Sequence, residues 1–157
     1  YVVVAPDGTL CPGGSRGCLE AEVSAPAIAQ RALARLSLYR DSSLKQHREE
    51  LGAGQAKPVL DAAGAGDALA LSILEETGAL LGIGLSTLAS IFAPDTIAIA
   101  GGPSESSELY LPAVRQTFTQ YTAPFYANDV RILKAALGAQ ANLVGIAAAT
   151  FAAVGGW

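Results

Sequence analysis

The stretch Thr96-Ile-Ala-Ile-Ala-Gly-Gly102 decides the fold, because residues of buried-strand character end abruptly at two glycines. Isoleucine and alanine in an unbroken run are typical of a strand covered on both faces. Pro103 follows the glycines. Ser106 or Ser107 can then cap a helix that we expect to end near Tyr121. The chain therefore contains a strand, a glycine turn and a helix in direct succession.

A long apolar helix is predicted immediately before this unit, from about Asp67 to Phe92. Its apolar residues recur at alternating steps of three and four, which is the spacing of a broad buried stripe. Asp67 is a good capping residue, and Pro94 prevents the helix from continuing. Gly78 and Gly82 share one helical face, which indicates that another backbone passes close there.

The remaining segments complete an alternation of helices and strands. Helices are expected over residues 24–36, 42–51, 57–63 and 139–154, and strands over residues 1–5 and 130–135. The segment 42–51 is the most polar, and His47, the only histidine, is expected to be a solvated surface residue there. This order predicts an α/β domain with layered helices on a mixed sheet.

Composition bounds the class of protein. At 157 residues and 51% hydrophobic content, the chain can form one domain with a substantial core. The formal net charge is -4 and the lysines and arginines do not cluster, so we expect no nucleic acid to bind through this region. Residues 77–94 are nearly uncharged but contain several glycines and hydroxyls, so we expect a buried helix and no membrane span. Two cysteines without a disulfide framework favour a reducing compartment, the cytoplasm.

The two cysteines bracket a glycine-rich loop, Cys11-Pro-Gly-Gly-Ser-Arg-Gly-Cys18, which runs directly into Glu20. Its glycines let the backbone fold back sharply. Two thiols are half of a tetrahedral zinc set, and the alternatives are two small buried thiols or an incidental disulfide. Glu20 either caps a helix start or faces a ligand, where a carboxylate can accept hydrogen bonds from two sugar hydroxyls at once. Glu22 is expected to face solvent.

The Gly101-Gly102 turn is the second candidate site. Backbone without side chains can approach a nucleotide closely, and the start of the following helix favours an anion. The alternative is a simple tight turn. The chain contains no GxxxxGK[ST] phosphate loop and no GxGxxG after its first strand.

Taken together, these motifs resemble the ROK family, the repressors and sugar kinases of the actin-like ATPase (ribonuclease H-like) fold. The family run C-x-C-G-x-x-G-C-x-E is matched by Cys11, Gly14, Gly17, Cys18 and Glu20. The chain also resembles successive later segments of the family, at residues 66–70, 81–85, 93–102 and 136–145. The likeness covers essentially the whole chain.

The resemblance implies that residues 1–157 are the C-terminal lobe of a two-lobed protein. The chain has no methionine and opens directly into a strand-like run, so we expect it to be a piece of a longer polypeptide whose N-terminal lobe carries the catalytic aspartate. Glu20 would then accept hydrogen bonds from the sugar, and Gly101 and Gly102 would lie against ATP, which binds with magnesium. The implied partners are a hexose, the N-terminal lobe and a second copy of the chain in a homodimer.

One departure from the family pattern concerns zinc. Cys11 and Cys18 match two family zinc ligands, but Gly13 stands where the family has its middle cysteine, and the family's zinc-binding histidine would fall before Tyr1. Two thiolates alone make a poor site. We therefore expect the loop to hold its shape without metal, through glycine turns and packing.

Three functions are compatible with these residues. The first is an ATP-dependent hexose kinase of glucokinase type, of which this lobe alone is inactive. The second is the sugar-sensing domain of a ROK-type transcriptional repressor, with a DNA-binding module upstream. The third is a homologue that keeps the fold and has lost the chemistry. The upstream sequence would discriminate the first two.

Overall fold

The computed structural model describes residues 2–101 and 108–154, which form helices packed on a small parallel sheet. In the N-terminal half the helices are α1 (Leu19–Val23), α2 (Ala25–Arg35), a 3₁₀ helix (Ser43–His47), α3 (Arg48–Gly52), α4 (Lys57–Gly64) and α5 (Ala68–Phe92). The second half contains β1 (Thr96–Ile99), α6 (Leu111–Tyr121), α7 (Pro124–Ala127), β2 (Arg131–Lys134), a 3₁₀ helix (Gly138–Gln140) and α8 (Ala141–Val154). The α/β architecture expected from the sequence is confirmed.

The long helix α5 begins and ends where the sequence predicts. The Asp67 carboxylate accepts hydrogen bonds from the backbone N–H groups of Leu69 and Ala70, which otherwise have no partner within the helix. The helix ends at Phe92, one residue before Ala93 adopts a left-handed conformation with φ of 44°. Buried residues along α5 join those of α2, α3, α4 and α6 in one core.

The close approach predicted at Gly78 and Gly82 is confirmed. Helix α6 crosses this face of α5 so tightly that a Cβ at Gly78 would lie 2.6 Å from the carbonyl oxygen of Tyr110. A Cβ at Gly82 would lie 2.7 Å from that of Val114. The start of α6 faces the earlier glycine and its middle faces the later one, so the two helices run in the same direction.

The sheet consists of β1 and β2, which pair in parallel with Ile97 opposite Ile132. Ile97 and Ile99 pack against the core, whereas Thr96 and Ala98 are exposed. The expectation that this strand is covered on both faces is therefore wrong, because helices of the described residues cover only one face. The helix start that we placed at Ser106 or Ser107 lies outside the described residues.

The first residues form a bridged loop instead of the predicted strand. Val3 pairs with Cys18, and Leu10 with Arg16, each through an isolated antiparallel bridge. Both bridges lie outside the sheet, which in the described residues contains only the parallel pair β1 and β2, so the expectation of a mixed sheet is wrong. A turn at residues 6–8 ends the extended backbone, so the pairing of Val3 does not continue into a strand.

The polar segment 42–51 is divided between the first 3₁₀ helix and α3. The sequence predicts one exposed helix here, but Leu44 and Leu51 are fully buried and attach the segment to the core. His47 remains partly exposed, as predicted, and its Nδ1 lies 2.6 Å from a carboxylate oxygen of Glu50.

Of the described helices, α5 alone is long and apolar enough to cross a membrane by length and composition. Half of its most apolar window is buried inside the fold. Core helices pass the same test, and α5 packs as one.

Candidate functional site

The cysteine loop is closed by backbone hydrogen bonds between its two arms. The Gly17 carbonyl accepts from Val4 N–H at 2.8 Å, and Gly17 N–H donates to the Thr9 carbonyl at 2.8 Å. Gly17 has φ of 63°, and a Cβ there would overlap the carbonyl group of Ala5. Only glycine fits this position, because both the conformation and the space exclude a side chain.

Cys11 and Cys18 form a disulfide beneath the loop, and both are almost completely buried. The spacing of the cysteines is compatible with two zinc ligands, two buried thiols or a disulfide, and the structure contains the disulfide. Because the two cysteines are paired with each other, they do not indicate a reducing compartment.

The donor set of the loop does not fit zinc. Zinc binds thiolates, and two sulfurs bonded to each other have none to offer. Residues 2–101 and 108–154 contain no group of three or more His, Cys, Asp and Glu side chains arranged to hold a metal ion.

Helix α1 follows the second cysteine and orients two carboxylates differently. Glu20 lies in its first turn and is exposed, whereas Glu22 is 6% exposed. The prediction that Glu22 faces solvent is wrong. Residues two apart lie on nearly opposite sides of a helix, so presenting Glu20 outward directs Glu22 inward.

The buried Glu22 carboxylate joins the loop to the helices behind it. Its Oε1 accepts a hydrogen bond from the backbone N–H of Thr9 at 2.6 Å. Its Oε2 lies 3.4 Å from Nη2 of Arg31, which also donates to the Glu22 carbonyl at 2.9 Å. Gly8 leaves room for this carboxylate, because a Cβ there would collide with Oε1.

Arg31 extends the connection from α2 to α5. Its Nη1 donates to the Thr77 hydroxyl at 3.0 Å, and its Nε lies 3.2 Å from Glu76. Arg35 also contacts Glu76, at 2.7 Å. Two carboxylates and two guanidinium groups thus form a neutral network, which is how buried charge is tolerated.

A surface depression of about 470 Å³ lies over this network. Its wall includes Thr9, Pro12, Glu22, Gln30 and Arg31. Among these lining groups, the Glu22 carboxylate is already engaged with Thr9 N–H and with Arg31.

The glycine turn after β1 forms a separate part of the candidate site. Gly101 has φ of 107°, and a Cβ there would meet nothing within 4 Å. Its N–H points to the carbonyl of Gly138 at 3.4 Å, and Gly138 lies just beyond β2. Both glycines therefore flank the carboxyl ends of parallel strands, which is where α/β sheets commonly bind ligands. Gly102 lies outside the described residues.

The structure groups Cys11, Cys18 and Glu20 in one loop and helix start, and it places Gly101 at the end of the sheet. Sequence reasoning missed three residues: Glu22, Arg31 and Gly138. Gly138 had a usable signal, since it is a glycine shortly after a strand. Glu22 and Arg31 had none, because their pairing depends on how α1 and α2 cross.

Comparison with known proteins identifies the class to which this architecture belongs. A glucokinase of Streptomyces griseus, solved with glucose and AMPPNP, superposes with a TM-score of 0.80 at 32% identity, over 92% of this chain and 48% of its own. The chain thus has the actin-like ATPase fold of the ROK sugar kinases. The ROK family model matches residues 1–152, and the chain belongs to the ROK family.

Curated relatives include enzymes and regulators. The glucokinase of Halalkalibacterium halodurans is 33% identical over 100% of this chain and 45% of its own length. The DNA-binding transcriptional dual regulator NagC of Escherichia coli is 29% identical over 87% of this chain and 32% of its own. The chain spans about half the length of the glucokinases it matches.

Proposed function

We propose that this chain is the sugar-binding and nucleotide-facing C-terminal lobe of an ATP-dependent hexose kinase of glucokinase type. The observation that carries the proposal is the exposed Glu20 at the start of α1, in a lobe that superposes on a glucokinase solved with glucose and AMPPNP. An exposed carboxylate can bind a ligand, and anchoring of the loop that precedes it reduces the cost of ordering the backbone on binding.

Glu20 is proposed to accept hydrogen bonds from two sugar hydroxyls. A carboxylate has two acceptor oxygens, and bonds from hydroxyls to an ionised group are short and strong. Glu20 thereby orients the sugar for attack, and its contribution is positional. The group that removes the proton from the attacking hydroxyl is proposed to belong to the N-terminal lobe.

The open turn at Gly101 is proposed to face the nucleotide together with Gly102. Space beside Gly101 allows the backbone to lie directly against a bound ligand. ATP with magnesium, when bound between the lobes, supplies the phosphoryl group and the cation that neutralises its charge. We assign no magnesium ligand to this chain, and the lobe by itself is proposed to be inactive.

A regulator is the second candidate, and the match to NagC over 87% of this chain favours it. In that case the same Glu20 would sense a sugar without phosphoryl transfer, and a DNA-binding module would precede this lobe. We further propose that the protein works as a homodimer in the cytoplasm, where the Cys11–Cys18 disulfide would be reduced, and that this region contacts neither nucleic acid nor membrane. A homologue without catalytic activity is the third candidate.

The test is Glu20→Gln in the full-length protein, assayed for hexose-dependent formation of ADP. The amide preserves size but loses the charge, so kcat/KM for the hexose should fall by about 100-fold, the effect of weakening two charge-assisted hydrogen bonds. Glu75→Gln is the matched control, because Glu75 is exposed on α5 in another part of the lobe. It should retain the parent's activity.

The outcomes separate the candidates. A parent protein that phosphorylates a hexose, with loss on Glu20→Gln, supports the kinase. Sugar binding without turnover, together with a DNA-binding module encoded upstream, supports the regulator. Full activity of Glu20→Gln would contradict the role given to Glu20 in either case.

A further inference from the structure

We propose that the buried Glu22 carboxylate, and not a metal ion, orders the cysteine loop and thereby fixes the position of Glu20. We call Glu22, Thr9 and Arg31 the loop latch. The part that concerns Glu20 rests on the proposed function, whereas the ordering of the loop does not. Glu22 is a positioning residue in this proposal.

The first argument is that the residues of the loop do not make up a zinc site. Cys11 and Cys18 are bonded to each other in the structure, and after reduction they supply two of the four ligands that zinc takes, while Gly13 has no side chain to contribute. A loop that precedes a binding residue must nevertheless be held within a fraction of an ångström for that residue to be effective. Another set of contacts has to supply the order.

The second argument is that Glu22 makes those contacts from inside the protein. Its side chain is 8% exposed, and its two oxygens reach different partners: the N–H of Thr9, two residues before the loop, and Arg31 on α2. Burying a carboxylate is costly unless it is paired, so this geometry persists only while both partners stay in place. The latch therefore resists any displacement of the loop from α2.

The third argument is that the latch lies next to Glu20 along a rigid segment. Glu20 and Glu22 belong to the same short helix, in which Glu20's carbonyl accepts from Ser24 N–H. Holding Glu22 inward fixes the rotation of α1 about its axis. That rotation sets the direction in which Glu20 emerges.

The first experiment compares amide hydrogen exchange of the full-length protein and its Glu22→Gln variant in reducing buffer, so that the result does not depend on the disulfide. A glutamine can satisfy Thr9 or Arg31, but it presents an NH₂ group to the other. Exchange in residues 5–18 should rise by about ten-fold or more, as expected for loss of a charge-assisted hydrogen bond. Glu20→Gln is the matched control and should leave exchange in this loop unchanged.

A metal chelator provides the second arm. Dialysis of the parent against a strong zinc chelator should leave exchange in residues 5–18 unchanged. Increased exchange after chelation, or unchanged exchange in Glu22→Gln, would overturn the proposal. If Glu22→Gln does not fold, Arg31→Lys retains the charge and loses the planar fork, and it should raise loop exchange to a smaller extent.

Kinetics test the consequence for Glu20. In Glu22→Gln the KM for hexose should rise about ten-fold while the KM for ATP changes less than about two-fold, because the loop is remote from the nucleotide in the proposed arrangement. A purely structural role would lower thermal stability and leave the hexose KM unchanged, which would overturn the positioning role. A parent that neither binds nor phosphorylates hexose would refute the proposed function, and the exchange data would still decide whether Glu22 orders the loop.

Discussion

Asp67 and Glu22 are carboxylates with different stabilising roles. Glu22 is buried against a guanidinium group, whereas Asp67 is half-exposed at the start of α5. Besides capping the helix, Asp67 accepts hydrogen bonds from the N–H and hydroxyl of Ser43 and from the hydroxyl of Ser42. It therefore ties the segment after α2 to the start of the core helix.

This arrangement predicts a pH-dependent contribution from Asp67. Burial raises the pKa of its carboxyl, but hydrogen bonds from Ala70, Ser43 and Ser42 together outweigh burial and hold the pKa below its usual 3.8. A lowered folded-state pKa means that the stabilisation is present above pH 3.8 and is lost as the pH falls through the folded value. Acidification should selectively weaken this cap.

Asp67→Asn tests the prediction. Asparagine keeps an oxygen that can cap the helix but loses the charge, so urea unfolding should show the parent more stable by about 0.5 kcal/mol at pH 7, the size of a solvent-screened charge at a helix start. The difference should shrink towards zero as the pH falls below 3.8. Asp61→Asn is the control, because Asp61 forms an exposed pair with Lys57 and should change stability very little. A difference that is the same at both pH values would contradict the assignment.

At the scale of single residues, the sequence predicts local roles and misses those that depend on folding. The cap at Asp67 follows from its place before an apolar helix. Charged residues usually lie at the surface, and the sequence predicts the same location for Glu22. Its true location depends on a partner nine positions away on another helix, which no local pattern reveals.

Among the elements, α5 and α6 pack more closely than ordinary side chains allow. Gly82 is the position to test, because a Cβ there would lie closer than 3.0 Å to two atoms, 2.7 Å from the Val114 carbonyl oxygen and 2.8 Å from the Thr117 Cβ. Glycine costs about 1 kcal/mol of helix propensity relative to alanine. The close packing of backbone on backbone compensates for that cost.

Gly82→Ala should therefore destabilise the protein despite its better helix propensity. Forcing α5 and α6 apart costs about 1–3 kcal/mol, which exceeds the gain in propensity. Gly64→Ala is the matched control in α4, because a Cβ there meets nothing within 4 Å and should stabilise slightly. Denaturant midpoints of both variants measure the contrast. Equal effects of the two substitutions would contradict the packing argument.

The elements themselves were predicted with uneven success, for a physical reason. Helices α2, α4 and α5 follow from apolar periodicity and capping residues, which are local signals. The run at residues 1–5 has the composition of a strand, but pairing requires a partner. The structure offers only the bridge between Val3 and Cys18 there, so the segment remains a loop.

For the molecule as a whole, the distribution of apolar surface is uneven. The core lies on one side of the sheet, while α8 has no buried residues although it is apolar around its circumference. Thr96 and Ala98 are likewise exposed on β1. A helix that is apolar all round is normally buried. The candidate site is also exposed, because Glu20 faces solvent and a Cβ at Gly101 would meet nothing within 4 Å.

The isolated 157-residue chain should therefore associate with itself through α8. Leu143, Ile146 and Phe151 are 73%, 68% and 77% exposed, and apolar patches of this kind drive association in water. Sedimentation velocity should detect dimers or larger species that dissociate when these three residues are replaced by glutamate. Leu38→Glu is the control, because Leu38 is equally exposed but lies beyond α2, away from α8. A parent chain that stays monomeric, or a Leu38 variant that dissociates as readily, would show that α8 is not the associating surface.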